Sequence, residues 1–185
     1  MKYKLSFCLF FFSIILIAQD KYSKEISFIT DNDLYVSTMR DRYYTSGIFL
    51  SYKYLADNKN QNLEKKIIEW QIGHEMFTPN NASVTKIEDH DRPFAAYLYG
   101  SFGIKKIYKR NKIFNTTLQL GVIGPNAYGK ELQSFIHQFY NFKETIGWKH
   151  QIKNAFGINL DLEYSSLISK SKSDVFDISW VNVSR

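Results

Sequence analysis

The sequence predicts an all-β protein, an antiparallel transmembrane β-barrel in preference to a soluble sandwich, and three observations carry that. Beyond the N-terminus, apolar and polar residues alternate over runs of about ten residues, the period of a strand with one apolar face. Aromatic residues make up 17% of the chain, with 13 Tyr and 15 Phe, and many stand near the ends of those runs, as in outer-membrane strands. Finally, after an N-terminal leader no segment approaches the length of a transmembrane helix, so a membrane-embedded mature chain has to cross with closed strands. A sandwich with a polar outer face would alternate too, and periodicity alone leaves it open.

The leader reads Lys2-Tyr3-Lys4, then an almost wholly apolar run from Leu5 to Ala18, then Gln19-Asp20. A basic start, an apolar centre and a small residue at the cut describe a secretory signal peptide. Residues 1–19 are therefore expected to be removed after Ala18 or Gln19, leaving 20–185 as one exported domain. The single cysteine, Cys8, lies inside the apolar run. It is thus not a lipid-modified terminus, and the mature chain has neither a disulfide framework nor a cysteine-built zinc site. The formal net charge is +6, and two of those charges, Lys2 and Lys4, belong to the leader. Such a balance, with no basic cluster on one face, gives no reason to expect a nucleic-acid partner.

The strands follow in order. Residues 23–30 and 46–55 form the first two, separated by a polar stretch rich in Asp and Asn. Residues 66–76 form the third after a polar turn at 57–65, and 95–107 the fourth, with Tyr97, Tyr99, Phe102 and Ile104. The fifth is 113–122, the sixth about 155–168, where Phe156, Ile158, Leu160 and Leu162 alternate with Gly, Asn, Asp and Glu, and a seventh begins near Val175. One segment differs. After the Gly124-Pro125 turn, Leu132, Phe135, Ile136 and Phe139 recur at helical spacing, which predicts a short helix over 127–140. Gln133 and His137 are four apart and project from the same side of it.

The connections hold the candidate chemistry: Asp31-Asn32-Asp33, Asp41 to Gly47, Asp89 to Pro93, and the helix with Glu131, Gln133 and His137. Ester hydrolysis needs a base to activate a nucleophile and a donor or cation to hold the oxyanion. Histidine titrates near neutral pH, which suits His137 as base. Asp33 or Glu131 could orient it or bind a hard cation, and Asn32, Thr45 or Gln133 could supply oxygens or hydrogen bonds. Each has a plainer reading: an Asx turn for residues 31–33, a surface histidine for His137, an ion pair for Asp91-Arg92. The sequence contains no Gly-x-Ser-x-Gly elbow, no His-Glu-x-x-His and no phosphate loop.

Seven stretches, in this order, resemble one family. They are Asn32-Asp33; Asp41-Arg42-Tyr43-Tyr44-Thr45-Ser46-Gly47; Met76-Phe77-Thr78-Pro79; and Asp91-Arg92-Pro93-Phe94-Ala95. Gly121-Val122-Ile123-Gly124-Pro125 follows, then Gly129-Lys130-Glu131-Leu132-Gln133 with His137, and Gly147-Trp148 with Gln151. From about Ile26 to Gln151 the chain resembles the lipid A 3′-O-deacylase (LpxR-like) family of bacterial outer-membrane proteins. The resemblance implies a twelve-stranded barrel in the outer membrane with its site near the outer leaflet. It implies hydrolysis of the 3′-linked acyloxyacyl ester of lipid A, with lipopolysaccharide as substrate and a divalent cation, calcium, as cofactor. Carried over by motif, His137 is the base, with Asn32, Asp33, Thr45 and Gln133 around the reaction centre and Asn32 and Asp33 at the metal. Lys86 is the nearest candidate for a basic residue meeting the lipid A headgroup.

Twelve spanning strands need more chain than the roughly 166 residues after the leader. The expectation is therefore the N-terminal part of the barrel, about its first half. Two other functional readings remain at this stage. One is a non-catalytic outer-membrane barrel, structural or adhesive, or an inactive truncated homologue; the other is a secreted β-sandwich binding module.

Overall fold

The computed structural model describes residues 23–33, 43–80, 86–141, 146–172 and 177–185. The leader, Asp41-Arg42 and the expected start of the seventh strand at Val175 lie outside the described residues. Within them the chain is a single meander of seven strands: β1 (Lys24–Asn32), β2 (Tyr43–Ala56), β3 (Leu63–Thr78), β4 (Ala95–Tyr108), β5 (Lys112–Ile123), β6 (Ala155–Lys172) and β7 (Asp177–Ser184). Each pairs antiparallel with the next, in the order β1-β2-β3-β4-β5-β6-β7. One α-helix, α1 (Gly129–Phe139), interrupts the strands between β5 and β6. No described helix is long and apolar enough to cross a membrane.

The alternation seen in the sequence becomes two faces. One carries Phe28, Leu50, Trp70, Ile72, Phe102, Leu118, Leu120, Ile158 and Leu160, which the register aligns side by side from β1 to β6. Most of these side chains are exposed; Trp70 is 54% and Ile72 61% accessible. A contiguous apolar band of this kind is stable only against a non-aqueous neighbour, and in a barrel wall that neighbour is lipid. The other face is polar. Lys53 lies between its cross-strand partners Glu25 and Glu69, with Nζ–O distances of 3.6 and 3.5 Å. Tyr99 donates to Gln71 (3.2 Å) and Asn159 to Gln119 (2.7 Å). Pairs like these contribute about 0.2–1 kcal/mol each.

The two ends of the sheet differ. At one, short turns join the strands. Asn58 and Asn60 fold the β2–β3 turn by bonding backbone groups at Asn60, Leu63 and Asn62, and left-handed Arg110 and Asn111 fold the β4–β5 turn. At the other end lie the long connections 33–42, 79–94 and 124–154. There the apolar face is covered: Met76, Phe94, Ala96, Ala127 and Trp148 form a buried cluster, with Leu98, Val122, Leu132 and Ile136 packed on it. Full burial of side chains such as Met76, Phe94 and Trp148 contributes roughly 1.5–3 kcal/mol apiece. The chain thus buries its core outside the polar face, between the wall and α1.

Candidate active site at the seam between wall and helix

One row of neighbours forms the floor of the seam. Asn32 pairs with Ser46, Ser46 with Met76, and Met76 with Ala96, so four strands present these residues side by side at spacings of about 4.8 Å. The floor's polar end is therefore Asn32-Ser46 and its apolar end Met76-Ala96. A register shift between Tyr44 and Ser46 makes Thr45 an extra residue in β2, the signature of a bulge that re-aims a side chain. Thr45 is buried, and its hydroxyl lies 2.8 Å from that of Thr78, also buried.

α1 stands on the apolar end. The connection leading to it is tied to β4 by Gly124 N–H to Ala96 O (3.0 Å), and the one leaving it is tied to Phe94, just before β4, by Ile152 N–H to Phe94 O (2.9 Å). Gly124 takes φ 94°, a conformation glycine enters without a Cβ penalty. His74, from the same face of β3 as Met76, lies 2.7 Å from the carbonyl of Ala127. Since a carbonyl only accepts, Nε2 carries the proton and donates it. At the first helical residue, Gly129 packs so close to Ala96 and Trp148 that any Cβ would overlap both. Leu132 and Ile136 then face the cluster, while Phe135 and Phe139 point away, 67% and 74% exposed. The four apolar positions of the helix thus split between wall and surroundings.

Gln133 is buried, and Trp148 donates its indole N–H to Gln133 Oε1 at 2.6 Å. An indole only donates, so this bond fixes the amide: Oε1 faces Trp148 and the Nε2 hydrogens turn away from it. Trp148 itself packs against Phe94, the two rings tilted by 50° with centroids 5.1 Å apart. His137 follows Gln133 by one turn on the same flank and is half-buried. Asp33 comes directly after β1, with its Oδ1 shielded from solvent. Glu131 is exposed in the first turn of α1, where a negative charge favours the helix N-terminus.

Lys86 is exposed on the β3–β4 connection, just before a 3-10 turn over Ile87–Asp89. That connection is braced by Asp91, which accepts the backbone N–H of Asn80 at 2.8 Å and lies 3.4 Å from Arg92. The Asn80 hydrogen bond, with the Arg92 charge beside it, holds the Asp91 carboxyl below its ordinary range. Arg92 in turn covers the ring of Tyr43, 3.8 Å from its centroid.

Of the residues singled out in the sequence, Gln133 and His137 share one flank of α1, Thr45 sits in the β2 bulge against Thr78, Asn32 ends the floor beside Ser46, and Asp33 adjoins Asn32. Lys86 stands apart on the connection. Several residues placed in connections by their sequence context belong to strands instead: Asp31 and Asn32 end β1, and Tyr43, Tyr44 and Thr45 lie within β2. Sequence reasoning assigned no role to Thr78, Trp148 or His74. The first two lie inside recognised motifs, so their position was available; His74 is one polar residue in an alternating strand and carried no signal.

A wall with one lipid-compatible face, long connections at one end and a helix clasped over that end defines a membrane β-barrel protein. The chain belongs to the LpxR family: the family model described as "Outer membrane protein LpxR" matches residues 5–182. Among solved structures it is similar in fold to LpxR from Salmonella typhimurium, with a TM-score of 0.61 and 24% sequence identity. The match covers 83% of this chain and 52% of that one, so the chain spans about half the length of that barrel. No curated protein matches the chain.

Proposed function

We propose that this chain carries the catalytic seam of a lipid A 3′-O-deacylase, acting at the outer leaflet of the outer membrane. The observation that carries the reading is the Trp148–Gln133 bond. It immobilises the helix flank that bears His137 at the margin between a lipid-facing band and the long connections, where the ester of a membrane lipid lies. Short turns at one end and long connections at the other match inner and outer surfaces of an outer-membrane barrel. Family membership supports the same orientation and substrate.

In the reaction, His137 takes a proton from water as the water oxygen bonds the acyl carbonyl carbon. Charge gathers on the carbonyl oxygen, and in this reading Gln133 Nε2 and the Thr45 hydroxyl are the donors that meet it. The carbon–oxygen bond to the sugar hydroxyl then breaks, and the proton passes from His137 to the departing alkoxide. Lys86 and Arg92, on the β3–β4 connection, offer positive charge to the phosphorylated headgroup.

For a divalent cation, the donors at the end of β1 fit in kind: Asn32 and Asp33 offer oxygen ligands only, the set that hard cations such as calcium take. They are few, since among the described residues no group of three or more His, Cys, Asp or Glu is placed to hold a metal. When bound, such a cation would polarise the ester carbonyl. Mass spectrometry of lipid A from cells with and without the gene tests the reading. Loss of the 3′-acyloxyacyl group only in cells carrying it is expected, and unchanged lipid A would overturn it.

A further inference from the structure

Directly along the wall from the seam, the apolar face is dented. Gly100 lies on the outward face of β4, in register with Ile72 on one side and Leu120 on the other. The missing side chain leaves a groove of about 510 Å³, walled by Leu50, Trp70, Ile72, Phe102, Leu118 and Leu120 and lined by no charged residue. The groove is of small-ligand size. A Cβ placed on Gly100 would meet nothing nearer than the Gln71 carbonyl at 4.0 Å, so packing of the wall does not demand a glycine there.

Its position relative to the seam limits what it can hold. Gly100 and Ala96 share a face of β4 four residues apart, about 13 Å at the rise of a strand. That is close to the half-thickness of the hydrocarbon layer, about 15 Å. Between them the face is continuous and apolar through Leu98, with Ile48 two strands away across His74. A lipid whose ester lies beside α1, at the open margin of the covered Met76-Ala96 floor, sends its chain along this track and ends it over Gly100. The lining is mostly apolar and carries no charge to pair with a headgroup, its polar members being Ser51, Tyr52, Gln71 and Ser101, and a second protein would need the whole flat band rather than a dent in it.

We infer that the Gly100 groove seats the distal part of the acyl chain whose ester is cleaved at the seam, and so sets the chain length accepted. This rests on the esterase reading of the seam. The test uses the protein extracted from outer membranes in detergent micelles, with lipid A carrying 3′-chains of different lengths. Gly100→Leu should fill the groove and shift the product ratio toward shorter chains by about tenfold or more, the discrimination an apolar pocket gives per excess methylene. Leu120→Ala should shift it the other way. An unchanged ratio in both variants, with turnover retained, would overturn the inference.

Binding is read separately from turnover. Lipid A brominated near the end of its 3′-chain should saturably quench the part of the emission that Trp70→Phe removes, and Gly100→Leu should weaken that quenching. Quenching without any acyl release would support the groove while refuting the esterase. Release of the brominated chain without quenching of Trp70 would refute the groove alone. Neither quenching nor release would refute both.

Discussion

The indole of Trp148 donates to Gln133 across 2.6 Å in a fully buried setting, and this bond joins the segment after α1 to the middle of the helix itself. The helix and the segment that follows it within the 124–154 connection are thereby held together above the wall. Removing the donor leaves Gln133 Oε1 buried without its indole partner, at a cost of roughly 1–3 kcal/mol. Trp148→Phe should therefore lower the temperature of heat-modifiable migration and reduce acyl release together. Loss of neither would mean that the bond does not hold the helix.

His137 lies on a helix flank, outside every strand ladder, so its removal should spare the barrel. His137→Ala is expected to lower release of 3′-acyl chains by about 10²–10⁴-fold, the usual effect of losing a general base. Electrophoretic migration of the folded form should stay unchanged. Near-normal turnover in this variant would favour a non-catalytic barrel.

Much of this arrangement was legible in the sequence. Alternation located the strands, because one face meets lipid and the other is polar, and a two-residue period records that directly. Strand ends were less visible: β3 runs on to Thr78 because Phe77 and Thr78 still pair with Tyr44 and Tyr43, and a continued ladder leaves no mark in side-chain type. The bulge at Thr45 was hidden for the same reason, since no glycine flags it. Helical spacing found Leu132, Phe135, Ile136 and Phe139 but not which two face the wall, since both surroundings are apolar. Site residues came from motif order rather than physics. Contacts between distant segments, such as Trp148 on Gln133 and His74 on Ala127, exist only once the meander has formed.

Asn32 and Asp33 offer the oxygen ligands proposed for the cation. A chelator should abolish acyl release, and excess calcium should restore it. Asp33→Asn, which keeps the shape and removes the charge, should raise the calcium concentration needed for half-maximal activity at least about tenfold, as loss of a charged ligand weakens such sites. Full activity in chelator would remove the metal from the scheme and leave His137 in place.

Asp91 gives the β3–β4 connection a pH dependence of defined sign. Its carboxyl is held below the ordinary 3.8 chiefly by the Asn80 N–H, with Arg92 adding to it. A depressed folded value means the clamp is fully present above pH 3.8 and is lost as pH falls through the lower, folded value. The amide resonance of Asn80 should therefore titrate with a midpoint below 3.8, and the step should vanish in Asp91→Asn. A midpoint at or above 3.8 would show that the carboxylate does not hold this turn.

The last prediction concerns His74, a polar side chain on the apolar face whose Nε2–H reaches the Ala127 carbonyl at 2.7 Å. Ala127 is itself buried in the cluster beneath α1, so the bond ties the base of the helix to β3 from below while Trp148 ties it from the side. His74→Leu keeps the bulk and the apolar contacts but removes the donor, leaving a buried carbonyl without that hydrogen bond, a loss of about 1–3 kcal/mol. Amide exchange of residues 127–133 should accelerate, and chain release should fall, with the barrel strands still protected. His74→Gln retains an N–H of similar reach and should recover part of both. If Gln and Leu behave alike, the histidine acts through its packing rather than its hydrogen bond.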